Sequence, residues 1–380
     1  MMEKNSIKPA LRFNKFSDVW SKSPLGEISK IITGSTPPTS NPEYFGGNEL
    51  FVSPADINGQ RFVRDTKTKL TRKGLAKGRL VKKGACLFVG IGSTIGKVSQ
   101  ASQDCVTNQQ IHAVEASEGF ENDFLYFQLS KCGPKIKMLA GTQAVPLLNK
   151  TDFSRIEIAY PSLPEQQKIA SFLSSVDERI ELLERKKEKL EAYKKGVMQQ
   201  IFSQQIRFKQ DDGSEFPDWE EKRLGEVLKI GSGKDYKHLG NGNIPVFGTG
   251  GLMTYVDDFL YEGESVGIGR KGTIDKPMFL KGKFWTVDTL FYTHSFKQIV
   301  PRFVYLVFQT INWKVHNEAS GVPSLSKTTI EKLQIMLPST NEQLKIVAFT
   351  EEIQNSISNL DSQIQGLRTW KKGLLQQMFV

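Results

Sequence analysis

Tyr193-Lys194-Lys195-Gly196-Val197-Met198-Gln199-Gln200-Ile201-Phe202, in the middle of the chain, returns at its end as Trp370-Lys371-Lys372-Gly373-Leu374-Leu375-Gln376-Gln377-Met378-Phe379. Each closes a longer stretch, residues 165–202 and 342–379, and a constant offset of 177 aligns the two without a gap. Ile169, Val176, Leu183, Leu190 and Val197 recur every seven residues in the first copy, as do Ile346, Ile353, Leu360, Leu367 and Leu374 in the second. A second row follows four residues behind: Leu173, Ile180, Lys187, Lys194 and Ile201, then Thr350, Ile357, Ile364, Lys371 and Met378. Steps of four and three place both rows on one seam of a helix. Two helices of roughly 40 residues, about 60 Å long, are expected to pack on each other within one chain and hold apart what precedes each. The seam lysines Lys187, Lys194 and Lys371 are expected to fix the register.

The repeat extends upstream. Arg12-Phe13, Trp20 and Leu25-Gly26-Glu27-Ile28 return as Arg207-Phe208, Trp219 and Leu224-Gly225-Glu226-Val227. Val89-Gly90-Ile91-Gly92 is matched with Val266-Gly267-Ile268-Gly269, and residues 145–151 with residues 322–328. Short β-type runs alternate with turns in each half, and residues 124–139 look helical. The expected fold class is α/β of the mixed α+β kind, a variable domain followed by a long helix, twice. The expected segments are residues 1–163, 164–205, 206–340 and 341–380.

A length of 380 residues suits two or more domains. No run of eighteen apolar residues exists, and the first sixteen are polar, so neither a membrane span nor secretion is expected. Three scattered cysteines, Cys86, Cys105 and Cys132, suit reduced thiols in a cytoplasm. The net charge is +10, and residues 61–83 carry ten Lys or Arg against Asp65 alone. Basic residues interleaved with Phe62, Leu70, Leu75 and Leu80 suit an ordered surface facing phosphates.

Catalytic patterns are imitated and not completed. Gly96-Lys97-Val98 resembles the end of a phosphate-binding loop, but Ile91 stands where its first glycine belongs and Val98 where a hydroxyl belongs. Asn41-Pro42-Glu43-Tyr44 has Glu43 in place of the second proline of the Asn-Pro-Pro-aromatic motif of amino-methylating DNA methyltransferases. Glu220-Glu221-Lys222 lacks a suitably spaced partner carboxylate, and the four histidines show no metal-ligand spacing. These features describe a binding and scaffolding subunit with no metal and no cofactor of its own. A methyltransferase or nuclease with a concealed site, or a coiled-coil scaffold binding only proteins, are the other readings.

The chain resembles the specificity subunits of type I restriction-modification systems. The resemblance lies in Gly267-Ile268-Gly269-Arg270-Lys271-Gly272-Thr273-Ile274, Phe284-Trp285-Thr286-Val287-Asp288-Thr289-Leu290, Pro164-Glu165-Gln166-Gln167-Lys168-Ile169-Ala170 and the two Gln-Gln-x-Phe tails. It implies two target-recognition domains, each reading half of a bipartite double-stranded DNA site in the major groove. It also implies an antiparallel coiled coil that sets the spacing. Two methyltransferase subunits carrying S-adenosylmethionine are expected to dock, with the charged outer face at residues 178–195 as their platform, and restriction subunits using ATP and Mg to join them. Candidate DNA contacts are Ser35, Thr36, Arg61, Arg64, Lys67, Lys69, Arg72, Lys73, Lys97, Asn108, Gln109, Lys234, Tyr236, Lys237, Arg270 and Lys271. Their residue types match base-edge and phosphate chemistry. Arg270 and Lys271 stand, by the 177 offset, where the first copy has Ser93 and Thr94, so the two domains are expected to read differently.

Overall fold

The structure is a computed structural model describing residues 8–139 and 147–380; residues 145 and 146 of the matched loop lie outside the described residues. It contains two compact units, Met1–Arg185 with Asp361–Val380, and Lys186–Leu360. Each long helix, Leu163–Phe202 and Thr340–Met378, contributes one half to each unit.

The first unit is built on a five-stranded sheet ordered Ser29–Thr33, Ile111–Ala116, Cys86–Val89, Val98–Ala101, Phe62–Val63. Cys86-Leu87-Phe88-Val89 is buried on both faces, as a continuous apolar run should be. Helix Asn122–Leu139 packs on this sheet. The basic segment folds as strand Thr68–Leu70, helix Arg72–Lys77 and strand Leu80–Val81; both strands belong to a second, four-stranded sheet. Thr71 caps the helix through its hydroxyl, which accepts from Gly74 N.

The second unit repeats the frame on a six-stranded sheet ordered Lys229–Ser232, Leu290–His294, Tyr261–Gly269, Met278–Thr286, Ile244–Gly248, Gly251–Val256, with helix Pro301–Thr310 against it. A hairpin, Ile244–Gly248 and Gly251–Val256, corresponds to strands Phe45–Val52 and Thr68–Leu70 of the first unit: Val287 N donates to Phe247 O as Asn108 N donates to Val52 O, and only the first unit carries residues 53–67 between the two strands.

The repeated sequence at each helix entry is a clamp. Arg12 donates to both oxygens of buried Glu165, each at 2.7 Å. In the second unit Arg207 reaches Glu342 at 3.2 and 2.9 Å, and Trp219 Nε1 adds a third bond at 3.1 Å. The next residue ties down the globular part: Gln166 Nε2 donates to Pro161 O and its Oε1 accepts from Glu121 N. Gln343 does the same with Pro338 O and Val300 N. The tails pack against the globular parts as well. Phe379 packs 5.3 Å from Phe124 and 6.4 Å from Trp20, and Phe202 packs 5.7 Å from Phe303 and 6.2 Å from Trp219.

Within each unit the helix halves run antiparallel. Arg368 pairs with Glu184 and Lys371 with Asp177 in the first; Lys194 donates to Gln354 in the second. Eight of the ten seam residues are buried; Leu190 and Leu367, related by the repeat, are half-buried. Lys194 and Lys371 are also repeat mates, as are their acceptors Gln354 and Asp177, so two of the seam lysines are half-buried and hydrogen-bonded across the seam.

Candidate nucleic-acid interface

Antiparallel pairing brings three strand ends of the first sheet to one rim. His112 faces Thr33 on one neighbour and Phe88 on the other, so the ends at Thr33 and Val89 meet the start at Ile111. In the second unit Phe291 faces Ser232 and Ile268, and the ends at Ser232 and Gly269 meet the start at Leu290.

The two rims share a backbone scaffold. Gly34 N donates to Ile111 O and Ser35 N to Thr107 O; Gly233 N donates to Leu290 O and Lys234 N to Thr286 O. A Cβ on Gly34 would lie 2.0 Å from Asn108 O, and one on Gly233 2.0 Å from Val287 O. Only glycine lets these strands pass so closely. Beside each glycine a buried threonine hydroxyl, Thr107 or Thr286, has no hydrogen-bond partner among the described residues.

The hydrogen bonds also correct the sequence pairing. Gly90 N donates to Gln110 O, and Gly90 O accepts from Leu148 N; Arg270 N donates to Thr289 O, and Arg270 O accepts from Leu325 N. Ile91 bridges Leu147 as Lys271 bridges Ser324, and Gly92 and Gly272 follow with φ of 97° and 93°. The structural counterparts of Arg270 and Lys271 are therefore Gly90 and Ile91, not Ser93 and Thr94. The repeated Val-Gly-Ile-Gly lies three residues out of register with the fold.

This matters chemically. At equivalent rim positions the first unit presents Ser35, Gly90, Ile91, Asn108 and Gln109, and the second Lys234, Arg270, Lys271, Val287 and Asp288. In the first, Thr36 donates to Gln109 Oε1 at 2.7 Å, leaving the exposed Gln109 amide nitrogen to donate outward. Asn108 is held by Gln110 through both side-chain atoms. Gly90 leaves room for the His112 ring, which lies against Leu148 O at 2.8 Å and stacks on Phe153. Burial holds that imidazole below its ordinary value, more than its bond to Leu148 raises it. In the second unit Phe291 replaces His112, and Arg270 lies over its ring at 5.9 Å. Arg270, Lys271, Ser232, Ser324 and Lys327 line an open cleft of about 670 Å³. Lys234 and Lys237 are exposed, while Tyr236 leans on the small core around Val246 and Trp285.

The basic segment is less uniform than its composition suggests. Arg61 is a correction to the phosphate-facing expectation: its side chain is 8% exposed, with Asp123 at 2.7 Å and Asp177 at 3.8 Å. Arg64 pairs with Glu181, Lys69 with Asp65 and Lys73 with Glu43. Arg72 touches Glu49 only at 3.9 Å and is almost wholly exposed. Lys67 and Lys97 are exposed as well. Sequence reasoning missed His112 and Asp288, which carry no pattern and matter only through register. Among the described residues there is no cluster of three potential metal ligands and no helix long and apolar enough to cross a membrane.

A family profile, the type I restriction modification DNA specificity domain, matches residues 17–192 and 217–367. The MjaIX type I restriction enzyme specificity subunit of Methanocaldococcus jannaschii is 26% identical, over 94% of this chain and 92% of its own. The EcoprrI type I restriction enzyme specificity subunit of Escherichia coli is 20% identical over 89% of each. The crystal structure of a type I restriction-modification S subunit from M. genitalium superposes with a TM-score of 0.66 at 18% identity, over 98% of this chain and 99% of that one. Two profile matches, one on each half of a duplicated chain, leave the assignment with one answer: the chain belongs to the type I restriction modification DNA specificity domain family.

Proposed function

We propose that this chain is the DNA-sequence specificity subunit of a type I restriction-modification complex, and that each unit reads one half of a bipartite site in the major groove with the rim described above. One observation carries this reading. Two sheets share one backbone scaffold yet hold different hydrogen-bonding side chains at the same positions, as two readers of unlike sequences require. The long helices set the spacing between half-sites and, on their charged outer faces, dock two methyltransferase subunits, through which restriction subunits join. The chain itself is non-catalytic and works in the cytoplasm; S-adenosylmethionine, ATP and Mg reside on the partners. Lys97, Lys67, Arg72 and Lys237 serve phosphates, supplying the salt-dependent part of binding.

The test exchanges residues 25–160 for those of a relative and maps methylated adenines genome-wide in cells carrying the complex. One half-site changes and the other, with the gap, stays. A change in both half-sites, or in neither, overturns the reading.

A further inference from the structure

We infer that Arg61 is a positioning residue for half-site spacing: it locks the first unit's sheet onto the first long helix, so that the gap the protein accepts depends on this side chain. The inference rests on the function proposed above. Arg61 lies on the loop entering strand Phe62–Val63, at the edge of the reading sheet. Its Nε donates to Gln100 Oε1 at 2.7 Å and its Nη2 meets Asp123 Oδ2 at 2.7 Å, both on the globular part. Its Nη1 donates to Ser174 Oγ at 2.7 Å and faces Asp177 Oδ2 at 3.8 Å, both on the helix. The guanidinium also lies 4.8, 5.0 and 5.3 Å from the rings of Phe62, Phe127 and Tyr126. A planar fork held on every edge and flanked by rings has one orientation. Because one end of the network is sheet and the other is helix, that orientation is transmitted between them.

The second unit joins its parts differently. Glu121 N and Val300 N occupy equivalent places on Gln166 and Gln343, so Asp123 corresponds to Arg302. Arg302 carries the cation itself, pairing with Glu351, the repeat mate of Ser174, and lying 4.5 Å over Phe279. It is 37% exposed against 8% for Arg61. Each globular part thus presents an arginine to its helix, but only the first draws it from the segment peculiar to its own module.

Each base pair added to a gap turns the second half-site by roughly 34° and moves it about 3.4 Å. A rigid reader should resist this, and a loosened one should tolerate it. Full-length Arg61→Met, assembled with the methyltransferase subunits, is titrated against duplexes differing only in gap length. The wild-type complex should lose at least about tenfold in affinity for one base pair too many or too few, the scale of a lost base contact, and Arg61→Met less than about threefold. Both should methylate the same half-sites. Leu87→Val, which trims the sheet core away from the rim without touching the network, should lower Tm yet keep full gap discrimination. Unchanged discrimination in Arg61→Met, or loss of it in Leu87→Val as well, overturns the lock. Absence of any half-site preference in the wild type would instead overturn the underlying reading. If Arg61→Met does not fold, Arg61→Lys keeps the charge and loses the fork; it should show intermediate discrimination, and full discrimination would count against the lock.

Discussion

The rims of the two sheets differ in a way that separates scaffold from reader. Gly34 and Gly233, Thr107 and Thr286, and the carbonyls that receive Leu148 N and Leu325 N occupy the same places and make the same bonds. The residues between them do not correspond at all. One rim offers Ser35 and two amides, Asn108 and Gln109; the other offers Lys234, Arg270, Lys271 and the carboxylate of Asp288. Backbone constraints are met by glycines and main-chain bonds, which leaves the outward side chains free to vary. The clamps at the helix entries show the same economy. Glu165 and Glu342 each hold an arginine, but Trp20 Nε1 has no partner among the described residues, where Trp219 Nε1 reaches Glu342.

The largest effect should come from those clamps. Glu165→Ala strands the mostly buried Arg12, and a broken buried pair costs about 3–5 kcal/mol; without Glu342, Arg207 still has Asp218 and the carbonyls of Phe216 and Pro217. Glu342→Ala should therefore be the milder, although it also removes the acceptor of Trp219 Nε1, worth about 1 kcal/mol. Thermal unfolding with hydrogen exchange localised to each unit would show it. Equal losses would mean that the partners left to Arg207 do no more than offset the lost tryptophan bond.

Next in size are the rims. Arg270→Ala should weaken binding about ten- to hundredfold for the half-site read by the second unit and relax base choice there. Gln109→Ala should do the same for the other half-site. Each is measured by titrating duplexes in which one half-site at a time is scrambled. A variant that weakened both half-sites alike would demote that side chain to a general phosphate contact.

The seam was legible because a heptad row is a one-dimensional pattern, and burial follows it at every position but Leu190 and Leu367. The rims were legible only as loops. Ser35, Asn108, Gln109, Lys234, Arg270 and Lys271 were found by residue type, but their pairing across the repeat was not. The identical Val-Gly-Ile-Gly in both halves pulls the sequence match three residues away from the hydrogen-bond register. A short apolar run fits a strand in more than one register, and only the partner strand decides. Arg61 misled for a related reason. Composition counts a charge as exposed, whereas Asp123, Asp177 and Gln100, which draw it inside, lie far away in sequence.

The smallest effect separates the rims by pH. His112 is buried and held below its ordinary value chiefly by desolvation, while its counterpart Phe291 does not titrate. A histidine whose folded pKa is depressed binds its proton more readily when unfolded, so it lends stability above about 6.5 that fades as the pH falls through that value. The first unit should therefore loosen on acidification below pH 6.5 through this group, and the second unit has no equivalent at that position. His112→Phe copies the second unit and should flatten the dependence. It should also cost about 1–3 kcal/mol at neutral pH, because Leu148 O loses its partner. Hydrogen exchange in residues 86–116, compared at pH 5.5 and 7.5, reads both consequences in one experiment. A slope that survives the substitution would assign the acid sensitivity to another group and remove His112 from the contrast between the rims.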